Sequence, residues 1–425
     1  MSAFTMPTLE EWQQALAAPR RVRVVSSPAL LQEVQQRHLN KDAERQRRGL
    51  AIPPRKNALS EVAAFAPMLE LPVVPTYMLL RLGVVTTPVV ENLADICSTW
   101  AYFRYLWAFD IPAQGTIDPV LRLSEAARNI DFHQKGLLSD QVGVGMAALL
   151  LGTYLNAPLA ADVSVAMDDP SWPIDLQYEA SPDYLFFDAT QTSLFIVECK
   201  GSQTSRSYAL DQLRRGTEQV PSLTFTDGRT PPSLVIATWL SKDGTEVFLV
   251  DPPDDEDASP KRPEKAERVG QRDWRVRSDA EFTRATTLVS EAKVLSFAGA
   301  DQAAASKLER AHTPVPRTPR SSPRETVISE NEFGRFRGVR QRVGLRDRFN
   351  VDVFQALDTT VYDALLAEEP ARTDETLRAF QSKSVLAAPN VQHQQPVTTK
   401  QENGAIVVRC AGPDGSLLEV RVSPP

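Results

Sequence analysis

An acid and a base stand two residues apart at the end of an apolar run, in the segment FIVECKGS at residues 195–202. Side chains two positions apart on a strand lie on the same face, so Glu198 and Lys200 are expected to point the same way. Their simplest role is a mutual ion pair at the end of a strand, worth about 0–1 kcal/mol at an exposed site. The same two groups are also suited to hold a metal ion and a water molecule.

A second acid opens the preceding apolar run, in Pro182-Asp183-Tyr184. Fifteen positions separate Asp183 from Glu198, which is enough for two short strands and a tight turn. Such a hairpin would bring the two acids together beside Lys200. Carboxylates that converge without a counter-charge raise each other's pKa, and Mg²⁺ prefers oxygen ligands of this kind. A lysine beside the cation is suited to orient or deprotonate an attacking water.

The elements around these residues follow the order α-β-β-β-α-β-β. A helix at 140–155 precedes three β-rich runs, DVSVAM, DYLFFDA and SLFIVEC. The helical segment SRSYALDQLRRGTEQV then leads to two further strands, SLVIATWL and TEVFLV. Strands that are apolar on both faces require helices to cover them, so the pattern predicts a mixed α/β sandwich.

Pro182-Asp183, followed by Glu198-Cys199-Lys200, resembles the motif of the PD-(D/E)xK nuclease superfamily, also called restriction-endonuclease-like. The element order over about residues 131–252 is similar to that family's α-β-β-β-α-β core. The resemblance implies an α/β fold with a restriction-endonuclease-like mixed-sheet core. It also implies an enzyme that hydrolyses phosphodiester bonds with Mg²⁺ or Mn²⁺. DNA is the expected substrate, with RNA as the alternative.

The same resemblance implies a role for each residue of the motif. Asp183 and Glu198 would ligate the metal together with the backbone carbonyl of Cys199. Lys200 would position the attacking water and stabilise the phosphate as it becomes pentavalent.

Two residues outside the motif also match positions used in the family. Members often carry an acid on the helix before the first core strand, and Asp140 takes that place. It is one methylene shorter than the usual glutamate, so it would hold the metal directly or through a water. Gln212 lies on the helix after the lysine, where it would orient Lys200 or contact the nucleic-acid backbone.

A run of arginines follows in the last hundred residues, with phenylalanines and glycines between them. Two interpretations stand equal: a solvated charged face, or a phosphate-contacting loop that binds nucleic acid. The residues proposed for that contact are Arg335, Arg337, Arg340 and Arg342.

The 425-residue length predicts more than one domain. The expected divisions are a helical N-terminal region at 1–130, the nuclease-like domain at 131–300, a linker at 301–330 and a small α+β accessory module at 331–425. The N-terminal region includes an expected aromatic-rich helix over residues 91–109, and a further helix is expected over 351–369.

The net charge of −7 supplies no general attraction for nucleic acid, so any binding must come from local basic patches. Three scattered cysteines predict a reducing, cytoplasmic environment and disfavour a thiolate metal site. Four scattered histidines disfavour a histidine metal site. The uncharged segment at 141–161 is expected to be a buried helix and a turn, not a membrane span.

A nuclease embedded in accessory segments suits a bacterial restriction or anti-phage defence system, by analogy of fold. A homo-oligomer or a partner protein of that system would then be expected. A rival interpretation is a catalytically silent module of the same fold, acting as a nucleic-acid-binding or scaffold protein. A third is a phage structural or packaging protein.

Overall fold

The computed structural model describes residues 8–52, 58–87, 105, 108–112, 116, 119–163, 172–175, 182–188, 190–252, 273–311, 325–345, 349–367, 370–381 and 395–425. The helix expected over 91–109 falls largely outside these ranges. In the described ranges the chain is a mixed α/β protein, as the sequence predicts.

A seven-stranded mixed sheet forms the centre of the described structure. In sheet order it consists of β2 (Met68–Val73), β1 (Arg20–Val25), β9 (Thr245–Val250), β8 (Ser233–Leu240), β6 (Leu194–Ser202), β5 (Tyr184–Phe187) and β3 (Leu159–Asp162). Strands β3, β5 and β6 are antiparallel neighbours, whereas β6 and β8 run parallel. The parallel pair requires a crossover connection, and helix α6 (Arg206–Thr217) supplies it.

The N-terminal region contains two strands besides its helices. Strand β1 pairs in parallel with β9 and antiparallel with β2, so both strands extend the central sheet. The segment RRVRVV alternates buried and more exposed side chains, which is the two-residue period of a half-buried strand. Its partner β9 lies more than 200 residues later, so the pairing leaves no local signal in the sequence.

Helices cover both faces of the central sheet. Leu30 and Val34 of α2 (Pro28–Arg47) share an apolar cluster with α6 and with Val235 of β8. Helices α3 (Pro75–Thr86), α5 (Phe132–Tyr154) and α7 (Asp279–Phe297) belong to the larger apolar cluster.

Helix α5 contains most of the uncharged segment at 141–161. Among the described helices it alone is long and apolar enough to cross a membrane, but 61% of its most apolar window is buried inside the protein. That burial is typical of a core helix in a soluble protein, so the prediction of a buried helix is confirmed.

A second, six-stranded antiparallel sheet is built from the C-terminal residues. Its order is β11 (Val327–Asn331), β12 (Gly334–Leu345), β13 (Phe349–Asp358), β16 (Ser416–Ser423), β15 (Ala405–Ala411) and β14 (Val397–Glu402). The expected hairpin between β15 and β16 is present. The helix expected over 351–369 is instead a strand up to Asp358, followed by helix α9 (Thr359–Ala367). Pairing with both β12 and β16 outweighs the local helical pattern.

The two sheets share one apolar core, which includes residues of both and of α3. Arg81 of α3 forms a fully buried ion pair with Asp414 in the β15–β16 turn, at 2.7 Å between Nη1 and Oδ2. Within the expected linker, Asp301–Arg310 forms helix α8, which packs on α7. The remaining elements are α1 (Leu9–Ala17), α4 (Glu125–Arg128), α10 (Pro370–Gln381) and a small sheet of β4 (Ile174–Asp175), β10 (Asp273–Val276) and β7 (Ser222–Thr224).

Candidate active site

The predicted hairpin forms, and it brings the two motif acids to one end of the sheet. Strands β5 and β6 pair from Tyr184 opposite Val197 to Phe187 opposite Leu194. Just before β5, the Asp183 backbone N–H donates to the Val197 carbonyl at 3.1 Å. The Asp183 Oδ2 atom accepts a hydrogen bond from the Cys199 backbone N–H at 2.8 Å. The carboxylate of Asp183 is therefore held directly against the strand that carries Glu198 and Lys200.

Glu198 and Lys200 form an ion pair between Oε1 and Nζ. The Glu198 side chain is completely buried, whereas the Lys200 side chain remains 21% exposed. The other carboxylate oxygen, Glu198 Oε2, is buried and receives no hydrogen bond among the described residues. A buried carboxylate oxygen without a hydrogen-bond donor can accept a further ligand such as a water or a cation.

The electrostatics of the pair of acids is unusual for a protein interior. Burial, followed by the nearby charge of Asp183, raises the pKa of Glu198 to about 7, although the ammonium of Lys200 opposes the shift. Burial also raises the pKa of Asp183, against the hydrogen bond from Cys199 and the charge of Lys200. The two carboxylates therefore resist being ionised together, which is the condition that a bound divalent cation relieves.

Two glycines allow α5 to approach the end of β6 closely. An ideal Cβ on Gly143 would lie 3.0 Å from the Lys200 carbonyl oxygen, and one on Gly201 would overlap the Ser139 carbonyl. This contact places Asp140 where its charge interacts with Lys200 and Asp183. Burial raises the pKa of Asp140, with Lys200 opposing the shift and Asp183 reinforcing it. The structure thus brings Asp140 to the same site as the motif.

Helix α6 covers Glu198 from the other face of the sheet. An ideal Cβ on Gly216 would overlap Val235 Cγ1 and lie 3.3 Å from Glu198 Cγ, so the glycine allows the helix to pack closely on both residues. Gln212 lies on the same helix and is half-buried. It makes no hydrogen bond within the described part of the chain, so its contact with Lys200 stays a prediction.

Cys199 contributes through its backbone. The thiol is buried, and burial, followed by the charges of Asp183 and Glu198, raises its pKa well above the ordinary value. A thiol in that state is not a nucleophile. The Cys199 carbonyl as a metal ligand stays a prediction.

A second acid–lysine pair lies beside Asp183, and sequence reasoning missed it. Asp162 ends β3 opposite Tyr184, and its Oδ2 lies 3.7 Å from the Nζ of Lys293 on α7. Lys293 is buried, donates a hydrogen bond to the Val85 carbonyl at 2.7 Å and lies 5.4 Å from the Tyr184 ring centroid. Burial lowers the pKa of Lys293, and Asp162 opposes that shift.

The negative charge of Asp162 also contributes to the raised pKa of Asp183. Since 131 positions separate Asp162 from Lys293, no local pattern in the sequence indicates the pair. Lys293 therefore partly balances an acid that would otherwise add to the negative charge at the site.

The four arginines predicted to contact nucleic acid, Arg335, Arg337, Arg340 and Arg342, lie on strand β12, not on a loop. Three of them face carboxylates: Arg342 at 2.6 Å from Asp352, Arg340 at 3.1 Å from Glu419, and Arg337 at 3.9 Å from Asp363. Arg335 is exposed. The spacing of two within Arg335 and Arg337, and within Arg340 and Arg342, fits a strand. Because Arg337 and Arg340 are three positions apart, the two pairs lie on opposite faces of β12. Phosphate binding by these arginines stays a prediction, and a phosphate would compete with the paired carboxylates.

The donor set at the hairpin fits a hard divalent cation. Within the described ranges, no group of three or more His, Cys, Asp or Glu side chains comes together as a metal cluster. Mg²⁺ needs no such cluster, because proteins commonly hold it with one or two carboxylates, waters and substrate phosphate oxygens. Asp183 and Glu198 supply two carboxylates, and the unpartnered Glu198 Oε2 is available as a ligand.

Comparison of this chain with protein-family models, curated proteins and solved structures gives no match.

Proposed function

We propose that this protein is a nuclease of the restriction-endonuclease-like type that hydrolyses phosphodiester bonds of DNA with Mg²⁺ or Mn²⁺. The observation that carries the proposal is the position of Asp183, hydrogen-bonded to Cys199 N–H beside the buried Glu198 and the partly exposed Lys200. A strand-end ion pair alone would need neither a second converging acid nor a buried carboxylate oxygen without a donor.

The connectivity around these residues supports the same proposal. In chain order, α5, β3, β5, β6, α6 and β8 give the sequence α-β-β-β-α-β, with β3, β5, β6 and β8 adjacent in that order in the sheet. The short strands β4 and β7 interrupt this order along the chain but belong to the small sheet. An antiparallel meander followed by a helical crossover to a parallel strand is the arrangement expected for the core of that nuclease superfamily. The site lies where the meander meets the crossover, at the end of β6.

A divalent cation bound by Asp183 and Glu198 would neutralise phosphate charge and lower the pKa of a bound water. Burial acts to lower the pKa of Lys200, but the charge of Glu198 and its hydrogen bond raise it overall. Lys200 therefore stays protonated at neutral pH, which suits it to stabilise charge on a phosphate oxygen better than to act as a general base. Asp140 is exposed, and it would orient a water by accepting a hydrogen bond from it.

A catalytically silent module is the second candidate, and one observation favours it. Glu198 already has an ammonium partner in Lys200, so the pair is able to persist without a metal. This candidate predicts a protein that binds nucleic acid or a partner but no divalent cation. The nuclease proposal also includes a cytoplasmic location and a homo-oligomer or a partner protein of a defence system. It further includes phosphate contacts by the arginines of β12.

The test is cleavage of supercoiled plasmid, linear DNA and RNA by the purified protein with Mg²⁺, Mn²⁺ or EDTA. We expect cleavage of DNA that EDTA abolishes and that falls at least about 100-fold in Lys200→Ala and in Asp183→Ala. Lys242→Ala removes an exposed lysine in the β8–β9 turn and serves as the matched control with unchanged cleavage. Cleavage that survives both site substitutions removes these residues from the mechanism.

A further inference from the structure

One face of the C-terminal sheet carries charged side chains from four neighbouring strands. Residues paired in the register of a sheet share a face, so the row of Arg342 on β12 continues through β13, β16 and β15 to Lys400 on β14. The row of Arg340 runs beside it on the same face. The cations of this charged face are Arg340, Arg342, Lys400, Arg409 and Arg421, and its acids are Asp352, Glu402, Glu419 and Glu332, the last of which reaches over it from a turn.

The charged face is concave, because the first hairpin of the sheet bends toward the last. Glu332 lies in the turn between β11 and β12, yet Lys400 of β14 donates to its Oε2 at 2.9 Å. Arg409 of β15 donates to the same oxygen at 3.3 Å. Since β11 and β14 are opposite edges of the sheet in strand order, these contacts require a bend toward the charged face. The face therefore has the form of a groove.

Within this groove the most deeply buried charges are acidic and the most exposed charges are cationic. The side chains of Asp352 and Glu419 are 5% and 4% exposed. Those of Arg342 and Lys400 are 68% and 50% exposed. The two other acids of the face are half-buried. A molecule that approaches from solvent therefore meets cationic groups first, which makes the outer layer complementary to a polyanion.

The exposed arginines are held from below, so their orientation is set before a ligand arrives. Arg342 donates to Asp352 from Nε at 2.6 Å and from Nη2 at 3.1 Å. A guanidinium has five N–H donors, and Arg342 uses only these two within the described part of the chain. Arg340 donates to Glu419 at 3.1 Å, and its guanidinium carbon lies 5.0 Å from the ring centroid of Phe354. A phosphate at the outer edge of Arg342 would compete with Asp352 for charge but not for the same N–H groups.

The groove offers a nucleic acid its phosphate contacts without a stacking surface for bases. Phe354 lies beneath Arg340 and is 1% exposed. No other aromatic side chain lies in the two charged rows of the described sheet. Cations without exposed rings contact the backbone and do not read bases. A duplex presents the higher density of phosphates, so the groove fits a duplex better than a single strand.

We propose that the charged face binds the phosphate backbone of double-stranded nucleic acid, whatever its base sequence, through Arg340, Arg342 and Lys400. The inference rests on the proposed function for the identity of the polyanion. It adds a lysine of β14 to the surface, which no spacing in the sequence connects with β12. Arg335 and Arg337 lie on the opposite face of β12 and are outside this surface.

Binding is measured without cleavage, in the Lys200→Ala background with Ca²⁺ in place of Mg²⁺, by anisotropy of labelled 20-base-pair duplexes of two sequences at several NaCl concentrations. Adding Arg342→Gln with Lys400→Gln should weaken binding of both duplexes about 10-fold. It should also reduce the slope of log affinity against log salt by about 2, the effect of losing two phosphate contacts. Arg284→Gln with Lys242→Gln removes the same charge from exposed positions on α7 and in the β8–β9 turn, and should change neither quantity.

A second variant keeps the net charge of the groove constant. Arg342→Gln with Asp352→Asn removes one cation together with the acid beneath it, so no buried charge is left without its partner. Duplex binding should still weaken about 3-fold or more, because the exposed guanidinium contacts a phosphate. Unchanged binding in this variant would overturn the assignment of Arg342 as a contact.

Equal affinity and equal salt slope in the parent and in Arg342→Gln with Lys400→Gln overturn the inference. Tighter binding of the matching single strand than of the duplex contradicts the substrate class. Equal competition by a peptide of 20 glutamates also overturns the inference and assigns the groove to an acidic protein. If the wild type cleaves DNA with Mg²⁺ while the groove variants bind normally, only this inference fails. If the groove variants lose duplex binding but the wild type cleaves no nucleic acid with Mg²⁺ or Mn²⁺, only the proposed function fails.

Discussion

The carboxylate of Asp183 is tied to the backbone of Cys199, because its Oδ2 accepts the Cys199 N–H at 2.8 Å. The bond joins the start of one strand to the residue between Glu198 and Lys200 on the next. It fixes an acid from a separate strand beside an acid–lysine pair. Burial raises the pKa of both carboxylates, and the charge of Asp183 adds to the rise for Glu198. Such an arrangement costs stability in the absence of a cation, and this cost leads to testable consequences.

Replacement of Glu198 by glutamine should separate function from stability. Glu198→Gln removes a buried charge and should abolish divalent-metal binding and cleavage. At pH 8 in EDTA, the free energy of unfolding should rise by about 1–2 kcal/mol, because the raised pKa shows that ionised Glu198 is disfavoured in the folded state. Urea denaturation provides the measurement, and Glu330→Gln at an exposed position provides the control. A loss of stability in Glu198→Gln would show that the glutamate is a structural ion-pair partner.

The stability of the metal-free protein should depend on pH in the direction set by Glu198. Its pKa is about 7 in the folded chain and near 4.5 in the unfolded chain, so the folded chain binds the proton more tightly. The free energy of unfolding should therefore fall as pH rises from about 4.5 to about 7, by at most about 3 kcal/mol.

A divalent cation competes with the proton for Glu198. Saturating Mg²⁺ should therefore abolish the decrease in the free energy of unfolding with pH. Cleavage should increase as pH rises through about 7, because Glu198 is then ionised. Thermal denaturation in EDTA and in Mg²⁺ across this range measures both effects. An equal slope in wild type and Glu198→Gln would show that another group is responsible.

The close contact between α5 and β6 should be required for activity. Gly201→Ala places a methyl group against the Ser139 carbonyl and should push α5 away from the site, moving Asp140 from Lys200 and Asp183. We expect loss of at least about 2 kcal/mol of stability and a fall in cleavage beyond what the unfolded fraction explains. Gly136→Ala, in open space on the same helix, is the matched control and should be neutral or slightly stabilising. Full activity in Gly201→Ala would show that Asp140 takes no part.

The pair formed by Lys293 and Asp162 should show strong coupling in a double-mutant cycle. Lys293→Met leaves Asp162 without its ammonium beside Asp183 and should destabilise the protein by about 3 kcal/mol. Adding Asp162→Asn should recover part of that loss, with a coupling energy of about 1–2 kcal/mol by urea denaturation. Additive effects of the two substitutions would show that Asp162 and Lys293, 3.7 Å apart, contribute no coupling free energy to stability.

The local part of the site was predictable from the sequence, because strand alternation and hairpin length depend only on nearby residues. The spacing of Asp183, Glu198 and Lys200 predicts their meeting, and the glycine-rich start of α5 provides a place for Asp140. Nothing local indicates that Gly143 and Gly201 face one another across the helix–strand contact. The same holds for Lys293, which pairs with Asp162 from a position more than 90 residues after Glu198.

The larger architecture depended on pairings over long distances. Strand β1 belongs to the central sheet because it pairs in parallel with β9. The segment before Asp358 has apolar residues at spacings compatible with a helix. It forms strand β13 because it pairs with both β12 and β16. Arg335 and Arg337, like Arg340 and Arg342, have the two-residue spacing of a strand. The carboxylate partners of Arg337, Arg340 and Arg342 come from three other elements.

The most direct test of the central claim is an anomalous difference map from a crystal soaked in Mn²⁺, collected at the manganese absorption edge. We predict one peak between the carboxylates of Asp183 and Glu198, within about 2.5 Å of an oxygen of each, and its loss in Glu198→Gln crystals. A map without a peak at saturating Mn²⁺, or a peak that remains in Glu198→Gln, would contradict the assignment of these two acids as a metal site.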